Sequence, residues 1–151
     1  MPSRFLLCRV RDVTCALSLV HVEETMRPVA VEAISGMPPF VRGIAIVRGT
    51  PTPVVDAQML LFGNSESPVT RFVTLKLGAR RIALAVGAVA GIAEIAADAV
   101  ATMPPLLKQA GDDVVASIGA LDRELLLVLS AGRIVNDEVW ALADRYASVS
   151  S

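Results

Sequence analysis

A single histidine, His21, stands in the segment Leu19-Val-His-Val-Glu-Glu24, and neighbouring acids occur at Glu23-Glu24 and Asp112-Asp113. These are the residue types from which acid–base or metal chemistry is built, but their context supports neither. One imidazole does not complete a metal site, and no nucleophile is spaced to form a Ser-His-Asp arrangement with it. His21 reads as a surface or edge residue. Adjacent residues on a strand point to opposite faces, so each acid pair reads as part of a solvated face with no partner implied. The run Gly87-Ala-Val-Ala-Gly91 lacks the lysine of a phosphate loop and follows a hairpin, not the opening strand of a βαβ unit. No cofactor is expected, and an enzyme is disfavoured.

Cys8 and Cys15 are too few for a disulfide scaffold in a chain of 151 residues. Both fall on apolar positions of apparent strands and read as buried reduced thiols, small hydrophobes in effect. A hairpin would bring them opposite each other. The segment Phe40-Val-Arg-Gly-Ile-Ala-Ile-Val-Arg-Gly-Thr-Pro-Thr-Pro-Val-Val-Asp56 carries chemistry of a different kind, that of recognition. Gly49 suits a turn that needs positive φ or a close backbone approach. Arg48, at a hairpin tip, can grip a carboxylate with two donors. Pro53 is expected to start the returning strand, where a missing N–H is tolerated. Val54 and Val55 fill a core, and Asp56 ends the strand and caps the helix that follows.

The elements that position these residues come in two copies. Arg4-Phe-Leu-Leu-Cys-Arg-Val10 resembles Arg71-Phe-Val-Thr-Leu-Lys-Leu77 at an offset of 67 residues, and Cys15-Ala-Leu-Ser-Leu19 matches Ile82-Ala-Leu-Ala-Val86 at the same offset. Val22 then matches Val89. Met37-Pro-Pro39 recurs as Met103-Pro-Pro105 at an offset of 66, and residues 41–55 lie on 115–129 at an offset of 74, the second copy having a longer loop around residues 111–113. Each copy opens with period-2 alternation, the mark of half-buried strands, in two runs joined by a short polar stretch, the mark of a hairpin. A second hairpin follows in each: residues 43–47 and 53–56 turned through Arg48-Gly49-Thr50, then 114–121 and 125–129 turned through Asp122-Arg123-Glu124. Helices are expected over 57–62, ended by Gly63, and over 134–145. Residues 64–68 read as a polar linker between lobes, the first spanning about 1–66 and the second about 67–151, with strands or the C-terminal helix free to cross between them.

Composition agrees with an aliphatic β protein: 54% of residues are hydrophobic and only 4% aromatic. With 14 basic and 15 acidic residues the net charge is −1, so no field of one sign exists to gather nucleic acid or an anionic membrane. The uncharged residues 82–93 fall short of the about 20 needed to span a bilayer and are followed by Glu94 and Asp98. They read as buried strands, and the absence of an export-type start points to the cytoplasm.

The Phe40–Asp56 string resembles the CheW family pattern of a Gly-hydrophobic strand, an Arg-Gly turn and then Pro-Val-hydrophobic-Asp. The opening Phe5-Leu-Leu-Cys, the Val22-Glu-Glu24 step and the Met37-Pro-Pro39 loop are similar to the family's elements in order and spacing, over nearly the whole chain. The resemblance implies a mainly β fold of two tandem small SH3-like barrels around a shared core, with short helices. It also implies a non-catalytic scaffold that grips the cytoplasmic tip of a chemoreceptor and the regulatory domain of the CheA histidine kinase, in chemotaxis or pilus motility. Carried across, Glu24 and Arg48 form an ion pair beside the receptor groove, and Val22, Val41, Gly43 and Gly49 line or shape that surface; Val22 and Val41 serve equally well as plain core. Exposed strand edges would let other CheW-like domains join side by side. The chain departs from the family at Ile46, where Asn is frequent, at Val86-Gly-Ala-Val89, where Val-Asp-x-Val is frequent, and at Ala57, where Leu is usual. The alternatives are a β-barrel module that binds a small ligand at the seam between lobes, and a regulatory domain detached from a kinase.

Overall fold

The computed structural model describes residues 3–95, 100–102, 115–121, 124–129, 134 and 140–141. Eleven strands and one helix follow one another: β1 (Ser3–Val10), β2 (Val13–Ser18), β3 (Val22–Met26), β4 (Val41–Val47), β5 (Thr50–Asp56), α1 (Ala57–Phe62), β6 (Arg71–Leu77), β7 (Arg80–Val86), β8 (Ala88–Ile95), β9 (Val100–Thr102), β10 (Val115–Leu121) and β11 (Glu124–Leu129). They form a six-stranded sheet in the order β8-β1-β2-β11-β10-β9 and a five-stranded sheet in the order β3-β6-β7-β5-β4. The fold is therefore mainly β.

Each sheet takes strands from both copies of the repeat. The opening hairpin β1–β2 is inserted between β8 and β11, and its counterpart β6–β7 is inserted between β3 and β5. In both cases the inserted hairpin meets the late strand of the other copy in parallel: β7 with β5, and β2 with β11. The exchange is reciprocal down to single residues. Val22 faces Leu75 in one sheet and Val89 faces Cys8 in the other, each pair being the other shifted by 67 positions. Val54 faces Ala83, and Val128 faces Ala16. Even the bulges repeat, after Val22 and at Val89, and again between Val41 and Gly43 and between Val115 and Ser117. A bulge is a built feature that bends and re-aims a strand, so its repetition shows that the sequence repeat encodes backbone shape as well as polarity.

The main core lies where the two sheets meet. Leu6, Cys8, Val10, Cys15 and Leu17 from the six-stranded sheet are buried with Val55, Val73, Leu75, Ile82, Leu84 and Val86 from the five-stranded one. A second cluster, Ala45, Val47, Val54, Phe72, Ala83 and Ala85, lines the other face of the five-stranded sheet. The alternation in β7 consequently separates two cores rather than a core from solvent: Ile82, Leu84 and Val86 fill one, Ala83 and Ala85 the other, and all are at most 1% exposed. This corrects the half-buried expectation for β7 and agrees with the buried reading of residues 82–86, whereas Ala90 and Ile92 of β8 are exposed, which corrects that reading for the rest of residues 82–93. Alanine fits where a small sheet curls on itself, and small side chains there look unremarkable in a polarity pattern. Thr52 and Thr74, also buried, keep their hydroxyls bonded to backbone carbonyls.

Helix α1 has the bounds expected of it. The Asp56 carboxylate accepts from the Gln58 and Met59 amides, and Gly63, at φ 77°, closes the end with its amide on the Met59 carbonyl. Residues 64–68 are held to the helix rather than slack: Gln58 Oε1 accepts from the Glu66 and Ser67 amides, and its Nε2 donates to the Ser67 carbonyl. The second Met-Pro-Pro loop, the 111–113 loop with Asp112-Asp113, the Asp122-Arg123 tip and most of the 134–145 helix lie outside the described residues. Of that last segment, Ile134 is buried in the main core, Trp140 packs against it, and the Arg80 guanidinium lies 4.7 Å from the Trp140 ring centroid.

Candidate functional site

The β4–β5 turn has two residues, Arg48 at φ 49° and Gly49 at φ 77°, between the paired Val47 and Thr50. Two successive positive φ values make the type I′ geometry that matches strand twist. The expected three-residue turn is thus one residue shorter. Glycine accepts the left-handed conformation freely, whereas Arg48 pays about 1 kcal/mol for it. The side chain so placed meets Glu24 on the far edge strand. Nε donates to both carboxylate oxygens at 3.0 and 3.1 Å, and Nη2 donates to Oε2 at 2.5 Å. The hydrogen bonds from Arg48 hold the Glu24 carboxyl below its usual range, outweighing burial, which pushes it up, and the charges of Arg48 and Arg81 lower it further; Arg48 is raised in turn.

Glu24 is fixed from behind. Its amide donates to Thr74 Oγ1 at 3.1 Å, and that hydroxyl donates to the Glu24 carbonyl at 3.3 Å. Because the register slips between Val22 and Glu24, Glu23 is the extra residue of a bulge, and strict alternation fails there. The acid pair expected to have no partner therefore has an arginine for each member: Arg81 Nε and Nη2 donate to Glu23 at 2.8 and 2.6 Å. Arg81 sits on β7 and reaches across β6, where Lys76 is its register neighbour. The signal was present in the sequence as the basic step Arg80-Arg81 matching the acidic step Glu23-Glu24, but the strand order needed to join them was not.

Asp56 centres a second arrangement. Oδ1 takes the two helix amides at 3.0 and 3.2 Å, while Oδ2 takes Arg42 Nε and Nη2 at 3.0 and 2.8 Å and Ser65 Oγ at 2.7 Å. Burial pushes its pKa up, but the bonds from Ser65, Arg42 and Met59 outweigh that and leave it below the ordinary carboxylate value. Arg42 and Ser65 escaped the sequence reading, which saw only the cap.

The remaining residues expected at the surface fall elsewhere. Val41 is buried in the main core, and Val22 is half-buried against it, so both serve packing. Gly43, at φ 144°, permits a close approach: a Cβ there would lie 2.0 Å from the Glu32 carbonyl oxygen. That carbonyl and the Glu32 amide bond reciprocally to Ile44, both at 2.9 Å, so Glu32 bridges the outer edge of β4 at that point. Pro53 does not start β5 but is its fourth residue, opposite Ile44. Its missing N–H is harmless for another reason. Ile44 spends its own backbone groups on Glu32, so this pair makes no ladder bonds, and the parallel ladder to β7 begins only at Val54.

Cys8 and Cys15 are register partners, wholly buried and free, and burial pushes both thiols up to about 12. Among the described residues no three His, Cys, Asp or Glu side chains gather as a metal site would need, and no helix is long and apolar enough to cross a membrane.

Two interleaved β sheets carry paired charges on their surface, an arrangement suited to recognition. A family model described as CheW-like domain matches residues 4–139, and the chain belongs to that family. It is 22% identical over 145 residues, 95% of this chain and 87% of the relative, to the chemotaxis protein CheW of Klebsiella aerogenes. It is also similar to the crystal structure of the scaffolding protein TtCheW from Thermoanaerobacter tengcongensis, with a TM-score of 0.76 and 22% identity, over 86% of this chain and 90% of that one. The last comparison bears on the fold alone, which is CheW-like.

Proposed function

We propose that the chain couples chemoreceptors to a CheA-type histidine kinase in the cytoplasm, acting by geometry alone. Binding on two faces fixes receptor tip and kinase regulatory domain relative to each other, so that a receptor movement biases the kinase between states. The face around Glu24, Arg48 and Gly49 receives the receptor tip, with Val22, Val41 and Gly43 shaping it from beneath. Other CheW-like domains join along strand edges, and the output is chemotaxis or pilus motility.

The observation that carries this reading is the Arg48–Glu24 fork. Its arginine side chain is 69% exposed and sits on a turn that costs backbone energy. An exposed ion pair adds about 0–1 kcal/mol to stability at most, too little to justify the strain by folding alone. A surface kept for a partner accounts for it.

The test is a pull-down of the purified protein with a receptor hairpin-tip fragment and with a kinase regulatory domain. Capture of both at micromolar concentrations is expected. Capture of neither would overturn the proposal.

A further inference from the structure

Next to the Arg48–Glu24 fork stands a side chain that the fold does not use. Ile46 is 55% exposed on β4, the edge strand of its sheet, two residues before Arg48. Its neighbours Ala45 and Val47 are buried, so the strand's inward face is satisfied without it. Large aliphatic side chains on an edge strand invite unwanted pairing and are usually replaced by charge. Its register partner across the hairpin is Pro51.

Two residues on, the Arg48 guanidinium is engaged by Glu24 along one edge. Arg48 gives Nε and Nη2 to Glu24, and no bond from its Nη1 is made among the described residues. A guanidinium has five donors in a flat fork, so its second edge stays open to another carboxylate. Two positions along a strand span about 6.6 Å, close to the about 5–6 Å between side chains three or four apart on a helix.

Resting on the coupling reading above, we infer that Ile46 and the outer edge of Arg48 form a two-point recognition site. Its occupant is a helix of the receptor tip that presents an aliphatic side chain to Ile46 and, one turn away, a carboxylate to Arg48 Nη1. Ile46 is then a specificity-determining residue: it selects receptors whose tip is apolar at that point and rejects those that place a polar group there, because that group would be buried without a partner.

The experiment is a titration of the full chain, wild type, Ile46→Asn and Ile46→Leu, against a receptor hairpin-tip fragment, with a kinase regulatory domain as the second probe. Ile46→Asn is expected to weaken tip binding about five- to tenfold, from the apolar area withdrawn. Ile46→Leu should stay within about twofold, and kinase affinity should not change. Melting temperatures of all three should agree, since the residue is exposed. Tip binding by Ile46→Asn equal to wild type would overturn the inference and leave the coupling reading intact. Failure of the wild type to bind the tip at all would overturn both.

Discussion

Replacing Asp56 tests how β5, α1 and the 64–68 segment are held together. Its side chain is 3% exposed and accepts five hydrogen bonds, two from helix amides through Oδ1 and three from Arg42 and Ser65 through Oδ2. Losing a helix cap costs about 1 kcal/mol. Losing the charged bonds costs about 2 kcal/mol more, taken at the low end because Arg42 is 40% exposed and regains water once its partner is gone. Asp56→Ala should therefore destabilise by about 3 kcal/mol, a fall in melting temperature of about 6–12 °C for a chain of this size. Asp56→Asn keeps an oxygen for the cap but loses the anion, and should fall about two thirds as far. The pH dependence has a defined sign. The folded-state pKa lies below the ordinary 3.8, so the stabilisation is complete above that value and is lost as pH falls through the folded-state pKa. Asp56→Asn should lack that part of the acid transition. Thermal unfolding by circular dichroism between about pH 2 and about pH 7 measures all three. An Asp56→Ala protein that melts within about 1 °C of wild type would refute the reasoning.

Arg48→Ala should leave the melting temperature nearly unchanged while weakening receptor-tip binding at least severalfold by titration, and unchanged affinity would remove Arg48 from the site. Gly43→Ala forces a Cβ to within 2.0 Å of the Glu32 carbonyl oxygen at φ 144°, so the Glu32 bridge must open; the Ile44 and Glu32 amides should lose hydrogen-exchange protection. Cys8 and Cys15, wholly buried and with thiols at about 12, should not react with an aromatic disulfide reagent at pH near 8 in the native protein, and both should react after denaturation.

What the sequence made legible was local. The helix over 57–62 could be read because its cap, Asp56, and its stop, Gly63, are adjacent to it in the chain. The Arg48-Gly49 turn could be read because few residues other than glycine suit it. The repeat could be read because polarity and turn chemistry recur at fixed offsets. What stayed hidden depended on which strands lie side by side. Arg81 and Glu23 are 58 residues apart and become neighbours only because the β6–β7 hairpin sits against β3. Arg42 and Ser65 meet on Asp56 only after α1 turns the chain back. The role of Gly43 was out of reach for the same reason, since the carbonyl it accommodates arrives from the loop before β4.

The reciprocal exchange of opening hairpins has a consequence for how the polypeptide leaves the ribosome. β1 and β2 emerge before their partners: Leu7 waits for Gly91 and Cys15 for Leu127 before their ladders close. Until those later strands are made, this aliphatic ribbon has no lasting partner on either flank, the circumstance in which nascent chains depend on chaperones and distant contacts make folding slow. Once the last strands arrive, the reward is mechanical. A pull on either sheet is carried into the other by unbroken backbone, so a disturbance of one sheet is passed on by the covalent chain itself.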